Sequence, residues 1–152
     1  VSAMPGLDGD SAVKCSNFIG DMLDYASEYG LDVLLVGNIG KLVQLAGGIM
    51  NTHSKYGDAR MSTLRNAADE AGADQDVLDS IDRCVMTDDA LDVLDSAGLL
   101  EPVIDILMGS IQANMRQRTG GMVRTAAVMF SSKRGMLGRT ELADDMIREL
   151  SI

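Results

Sequence analysis

The sequence is poor in the residues that build structural metal sites and disulfide frameworks. Among its 152 residues are one histidine, His53, and two cysteines, Cys15 and Cys84, which lie far apart and form no C-x-x-C pair. A structural zinc site draws several such ligands from close spacings, so this class of protein is disfavoured. We therefore expect no metal site, and we expect both thiols to be reduced.

The sequence also lacks long apolar runs and an excess of positive charge. No uninterrupted apolar stretch approaches the roughly 20 residues that span a bilayer, and no basic segment followed by an apolar one opens the chain. The formal net charge is −10, the wrong sign for a protein that neutralises the phosphates of nucleic acid. We expect a cytoplasmic protein that binds neither membranes nor nucleic acid.

Aromatic residues are scarce, while methionine is abundant. Three tyrosines and two phenylalanines stand beside eleven methionines, which predicts a core filled largely by flexible side chains. The length suits one domain with its own core. The chain begins with Val1, which suits a piece of a longer protein.

Hydrophobic patterning predicts an α/β fold with a helical majority. Apolar runs predict three strands, at Ala12–Cys15, Leu31–Val36 and Met122–Phe130, with a helix from Ser16 to Tyr29 between the first two. Strand, helix and strand in succession indicate a parallel βαβ unit, so the sheet should be small and mainly parallel. The stretch 135–138 reads as a loose connection. Three strands make a small sheet, which we expect residues outside the chain or another subunit to complete, and this leaves a homo-oligomer open.

The densest polar stretch begins where the second predicted strand ends. Gly37-Asn38-Ile39-Gly40-Lys41 turns into a helix whose free N–H groups can hold an anion. A P-loop is not present, because Leu35 and Leu42 replace its first glycine and its Ser/Thr. The alternative is a plain tight connection from strand to helix.

A polar loop follows the Gly47-Gly48 stop of this helix. It contains Asn51, Thr52, His53 and Ser54, and leads to Asp58, the predicted N-cap of a helix that carries Arg60. Histidine is the side chain best suited to exchange protons near neutral pH. The structural alternatives are a buried histidine, a helix cap and a surface arginine.

These residues, together with Ser16-Asn17-Phe18-Ile19-Gly20-Asp21-Met22-Leu23, resemble the cobalt-precorrin-5B methyltransferase family of anaerobic cobalamin biosynthesis. The resemblance covers roughly residues 13–72 and matches the C-terminal part of that family's longer chain. It implies a C-terminal α/β fragment of an enzyme that transfers a methyl group from S-adenosylmethionine to ring carbon one of a cobalt-bound tetrapyrrole. Gln44 departs from the family pattern, which has a basic residue there, and Gly57 stands where alanine is usual.

The resemblance also implies roles for the polar residues. The implied catalytic group is His53, Asp58 and Arg60, within a T-H-S...D-x-R signature. The implied binding residues are Gly37, Asn38, Gly40, Lys41, Asn51, Thr52, Ser54, Asn17 and Asp21.

Charge is segregated along the chain. Twelve acidic residues and one basic residue lie between Asp69 and Asp105, whereas six basic and no acidic residues lie between Ile106 and Thr140. One reading is a pair of solvated faces. The other is a basic surface that receives the carboxylate arms of a corrinoid, since guanidinium groups bind carboxylates bidentately.

Two rival functions remain at this point. A nucleotide- or phosphate-binding enzyme would use the turn from Gly37 to Lys41. A non-catalytic interaction domain would use the acidic helices between Asp69 and Asp105 for docking.

Overall fold

Seven helices and three strands make up the part of the chain that the computed structural model describes, residues 19–50 and 59–150. The helices are α1 (Ile19–Tyr29), α2 (Ile39–Ala46), α3 (Arg60–Glu70), α4 (Gln75–Asp82), α5 (Thr87–Ser96), α6 (Leu100–Thr119) and α7 (Ala143–Leu150). The strands are β1 (Val33–Asn38), β2 (Thr125–Ser131) and β3 (Gly135–Arg139). The predicted α/β class with a helical majority is confirmed.

The three strands form one sheet in the order β1-β2-β3. β1 and β2 are parallel, with Val33 opposite Thr125 and Asn38 opposite Phe130. β3 returns antiparallel to β2, so the sheet is mixed where the sequence predicted a mainly parallel one. The stretch predicted as a loose connection is this third strand. The strand predicted at Ala12–Cys15 lies outside the described residues.

The sheet has a helical layer on each face, and the strand residues alternate between the two layers. Leu35 of β1 and Met129 of β2 belong to the main core, which α2 and α6 help to build. Leu34 and Val128 face the other way and pack with Ile147 of α7. β1 and β2 are therefore covered on both faces, which explains their nearly continuous apolar sequences.

The direction of α6 defines the two ends of the molecule. Near its start, Ile104 and Met108 lie so close to β3 that a Cβ on Gly138 would come within 2.8 Å of Ile104 Cγ2. Further along, Gln112 donates a hydrogen bond to Thr125, the first residue of β2, at 2.9 Å. α6 therefore runs from the carboxyl end of the parallel strands to their amino end.

Candidate functional site

The carboxyl end of β1 enters α2 without an intervening loop, and Asn38 is the residue at the junction. Its backbone is extended, and its side-chain oxygen accepts a hydrogen bond of 2.9 Å from the N–H of Gly40. Its side-chain nitrogen lies 3.4 Å from the hydroxyl of Ser132, to which it donates. One of the N–H groups that could bind an anion is therefore already satisfied by the protein itself.

The same turn nevertheless presents an open, positively charged surface. Lys41 is exposed in the first turn of α2, and no ion pair joins it to a residue of the described ranges. A Cβ on Gly40 would meet only the side-chain oxygen of Asn38, at 3.4 Å, among the described residues. Packing against the described residues therefore does not require glycine at position 40.

The opposite end of α2 is held by α6. Asn114 donates from its side-chain nitrogen to the carbonyl oxygens of Leu45 and Ala46, at 2.8 and 3.3 Å. Since Gln112 of the same helix reaches Thr125, the end of α2 lies at the amino end of the sheet. α2 has eight residues, so its two ends are about 12 Å apart along its axis.

α3 begins beside the C-terminal end of α2, which lies at the amino end of the sheet. The hydroxyl of Thr63 lies 2.5 Å from the place that a Cβ on Gly47 would occupy, and Arg60 precedes Thr63 by about one turn. Ala59 holds the N-cap position and makes no side-chain capping bond. The cap predicted for Asp58 is therefore displaced by one residue, and Asp58 itself lies outside the described ranges.

The start of α1 meets the same region through a close backbone contact. Gly20 donates its N–H to the carbonyl oxygen of Met50 at 3.1 Å, and a Cβ on Gly20 would lie 2.8 Å from Met50 Cβ. The guanidinium of Arg118 also approaches Gly20, with Nη2 3.1 Å from the same Cβ position. The sequence predicted Arg118 as part of a carboxylate-binding surface and not as a neighbour of Gly20, which stands within residues 16–23.

The structure thus divides the predicted constellation into two groups. The first is the turn at the carboxyl end of the strands, with Gly37, Asn38, Gly40 and Lys41. The second lies at the amino end, where Asp21 and Arg60 occupy the first turns of α1 and α3. The length of α2 separates Lys41, in its first turn, from the start of α3, which carries Arg60. The remaining candidates, Asn17, Asn51, Thr52, His53, Ser54 and Asp58, lie outside the described residues.

Most of the basic residues predicted to receive substrate carboxylates are paired within the chain. Arg118 binds Asp24 through two hydrogen bonds of 2.7 and 2.8 Å. The other pairs are Arg124 with Asp32 and Glu149, Lys133 with Asp92, Arg134 with Asp92 and Asp95, and Arg139 with Asp144. Lys133 and Arg134 thus join the basic segment to the acidic one, whereas Arg118, Arg124 and Arg139 pair with carboxylates outside both segments. Of the six basic residues in this segment, Arg116 alone has no ion pair within the described ranges.

These pairs shift the titration of the carboxylates. Hydrogen bonds from the guanidinium of Arg118 lower the pKa of Asp24 below its ordinary value. The backbone N–H and then the guanidinium of Arg124 lower the pKa of Asp32, and the same guanidinium lowers the pKa of Glu149. Burial raises the pKa of the Cys84 thiol, which is therefore poorly suited to act as a nucleophile.

Two cavities in the described ranges do not include the candidate site residues in their lining. One, of about 640 Å³, lies between α5, α6 and β3 and is lined by Asp95, Glu101, Asp105 and the paired Arg134. The other, of about 300 Å³, lies near the start of β2 and includes Gln112, Arg116 and Arg124. The acidic lining of the larger cavity disfavours an anionic ligand there.

Two further classes of site can be addressed for the described ranges. No group of three or more His, Cys, Asp or Glu residues there could hold a metal ion. None of the helices there is long and apolar enough to cross a membrane.

Comparison with known proteins identifies the family. The family described as "CbiD, C-terminal domain" matches residues 51–141, which is more than half of the chain. The chain belongs to this family. No solved structure shows significant similarity to it.

Curated relatives carry one recurring name, cobalt-precorrin-5B C(1)-methyltransferase. The relative from Ruminiclostridium cellulolyticum is 37% identical over 151 residues, which is 95% of this chain and 39% of the relative. Those from Clostridioides difficile and Methanococcus aeolicus are 32% and 33% identical, over 93% and 88% of this chain and 35% of each relative. The chain therefore spans somewhat more than one third of the length of these relatives.

Proposed function

We propose that the chain is an α/β domain forming the C-terminal part of a longer methyltransferase of cobalamin biosynthesis. The reaction is the transfer of a methyl group from S-adenosylmethionine to ring carbon one of cobalt-precorrin-5B, in the cytoplasm. The observation that carries this proposal is the family match, together with the name that the curated relatives share. The whole reaction also depends on the part of the relatives that this chain does not match.

The two groups of candidate residues suit a large ligand that lies along α2. At one end, Lys41 offers a cation beside the open space at Gly40. At the other end, Asp21 and Arg60 lie in the first turns of α1 and α3. A tetrapyrrole with peripheral carboxylate arms is long enough to contact both groups. We assign catalysis to His53, Asp58 and Arg60, and binding to Asn17, Asp21, Asn51, Thr52, Ser54 and the turn from Gly37 to Lys41.

The donor supplies an electrophilic methyl group, and the protein's work is to position the acceptor and to exclude water. The chain has no G-x-G-x-G loop of the common donor-binding type. Its described residues fit the donor only at a carboxylate, since Lys41 is an exposed cation at a helix start. The carboxylate at Lys41 can equally be an acetate arm of the macrocycle.

The rival functions are less well supported. A nucleotide site at the turn would need free N–H groups and a Ser/Thr after the lysine, but Asn38 occupies the N–H of Gly40 and Leu42 is buried. An acidic docking face would need free carboxylates. Three of the twelve carboxylates between Asp69 and Asp105, those of Asp82, Asp92 and Asp95, are paired with basic residues of the same chain, which lowers the charge of this face.

The test is methyl transfer by the full-length protein. The protein is incubated with cobalt-precorrin-5B and S-adenosylmethionine carrying a ¹³C-labelled methyl group, and the product is analysed by mass and by NMR at ring carbon one. We expect one labelled methyl group at that carbon, and none when the protein or the donor is omitted. The Ruminiclostridium cellulolyticum relative serves as a parallel sample. Product from the relative and none from this protein would overturn the proposal.

A further inference from the structure

One side chain from a distant part of the sequence lies at the junction between α1 and Met50. Arg118 lies in the last turn of α6, far along the sequence, and its guanidinium covers the backbone of Gly20. Gly20 in turn donates its N–H to Met50 at 3.1 Å. The three elements meet so closely that a single Cβ on Gly20 would contact both Met50 and Arg118.

Arg118 is fixed in this place by a bidentate pair. Its Nε donates to one carboxylate oxygen of Asp24 at 2.7 Å, and its Nη2 donates to the other at 2.8 Å. Asp24 lies one turn after Gly20 on α1, so the same guanidinium holds two successive turns of that helix. Two parallel hydrogen bonds define direction as well as distance, which a lysine cannot do.

The charges around Arg118 favour this arrangement without adding much stability. Asp21, a candidate binding residue, also acts on Arg118 electrostatically. The side chains of the pair are 38% and 52% exposed, and ion pairs this exposed contribute little to folding. A large effect of Arg118 on activity would therefore not come from unfolding.

We propose that Arg118 is a positioning residue for the methyl-transfer reaction, acting through Asp24 and Gly20 to hold the first turn of α1 against Met50. This inference rests on the proposed function. Asp21 is carried by that turn, and the segment from Asn51 to Ser54 follows Met50 in the sequence. Misplacement of a binding group by about 1 Å can lower activity by roughly two orders of magnitude.

The test compares full-length variants by steady-state methyl transfer. Arg118→Met and Asp24→Asn should each lower kcat/KM by roughly tenfold or more, mainly through a higher KM for the corrinoid. The double variant should be no worse than the poorer single variant, because both changes remove the same contact. Arg118→Lys should recover part of the loss. Arg65→Met is the matched control, since Arg65 makes a similarly exposed pair with Asp82 at 2.9 Å. Asp82 belongs to α4, a helix that carries none of the candidate site residues.

Three other kinetic outcomes would overturn the positioning role of Arg118. Unchanged kinetics for Arg118→Met would remove the positioning role. A loss in Arg118→Met with none in Asp24→Asn would mean that Arg118 contacts the substrate directly. An equal loss in Arg65→Met would indicate general destabilisation.

A second measurement separates this inference from the proposed function. Hydrogen exchange at the Gly20 amide should be faster in Arg118→Met than in wild type and in Arg65→Met. If the wild-type protein is inactive, the proposed function fails. Unchanged exchange at the Gly20 amide in Arg118→Met would independently reject the role of Arg118 in holding Gly20 against Met50.

Discussion

Gly40 is a residue whose identity the fold does not demand. Among the described residues, its missing Cβ would meet only Asn38 Oδ1, at an ordinary contact distance of 3.4 Å. Alanine favours helix over glycine by about 1 kcal/mol in helix interiors and by less in the first turn. A glycine at such a position suits the close approach of a ligand to the backbone.

Gly40→Ala should therefore leave the protein as stable as wild type or slightly more stable, while weakening binding at the turn. Stability is measured by urea unfolding, and binding by the KM for each substrate in the full-length enzyme. Ala113, an exposed residue of α6 remote from the turn, provides the control through Ala113→Gly, which should lower stability and leave KM unchanged. An unchanged KM in Gly40→Ala would reject the idea that a ligand approaches position 40.

His53 remains the leading candidate for proton exchange, on the basis of its residue type and its place in the signature. If it transfers a proton in the rate-limiting step, His53→Ala should lower turnover by roughly 10²- to 10⁴-fold with little change in stability. If it only binds, the loss should appear in KM while turnover stays nearly intact. Wild-type kinetics in His53→Ala would exclude both roles.

Position 47 shows how one glycine sets the distance between two helices. Gly47 has φ −80° and ψ 3°, a conformation open to any residue, so its backbone does not require glycine. A Cβ there would instead lie 2.5 Å from the hydroxyl oxygen of Thr63 and 3.7 Å from Thr63 Cβ. The contact between the end of α2 and the start of α3 thus depends on a single oxygen atom.

Gly47→Ala should destabilise the protein by about 1 to 3 kcal/mol through overpacking. Thr63→Ala in the same chain should recover most of that loss, because only the hydroxyl oxygen is too close. Thr63→Val keeps a heavy atom in that position and should give no recovery. Thermal and urea unfolding of the single and double variants measure the coupling, and additive effects would contradict the steric explanation.

At the scale of elements, the helices were predictable and the ends of the strands were not. The apolar pattern of α6 and the glycine after it give its extent, and Gly120 adopts the left-handed conformation that ends the helix. β1 is displaced two residues towards the carboxyl end relative to prediction, because Gly37 and Asn38 still pair with Met129 and Phe130 of β2. The end of β1 is set by pairing with a strand about ninety residues away, and local sequence patterns carry no information on that pairing.

β3 was missed for a related reason. Its sequence, Gly-Met-Leu-Gly-Arg, has no β-branched residue and two glycines, which is typical of a turn. It is a strand because it pairs with β2, and because Gly138 lets α6 approach to within 2.8 Å of its Cβ position. The separation of Lys41 from Arg60 was hidden for a similar reason, since the sequence contains the order of these residues but not the direction in which α2 leads away from the sheet.

At the scale of the whole molecule, ion pairs join the two oppositely charged segments at one place. The acidic segment before Asp105 and the basic segment after it meet where Lys133 and Arg134 bind Asp92 of α5. Hydrogen bonds from Lys133 and Arg134 lower the pKa of Asp92 below its ordinary value of 3.8. Similar partners lower the pKa of Asp24, Asp32 and Glu149.

The pH dependence of stability follows from the direction of these shifts. A carboxylate whose pKa is lower in the folded state binds fewer protons there than in the unfolded state, so its pairing stabilises the fold above the ordinary pKa. That contribution is lost as the pH falls through the ordinary pKa and then through the lower folded value. Acidification also removes the repulsion of a chain with a net charge of −10, which acts in the opposite direction. The stability of the wild-type protein alone therefore does not isolate the pairs.

The difference between wild type and Asp92→Asn isolates the contribution of this pair. Asp92→Asn should destabilise the protein at pH 7 in low salt, and the difference should shrink as the pH falls below 3.8 towards the lowered pKa of folded Asp92. Salt should reduce the difference at pH 7, because the pair is exposed. Glu70→Gln is the control, since Glu70 is an exposed carboxylate with no ion pair in the described ranges, and its effect should stay small across this pH range. A difference for Asp92→Asn that is the same at pH 7 and pH 3 would show that Asp92 acts through packing and not through its charge.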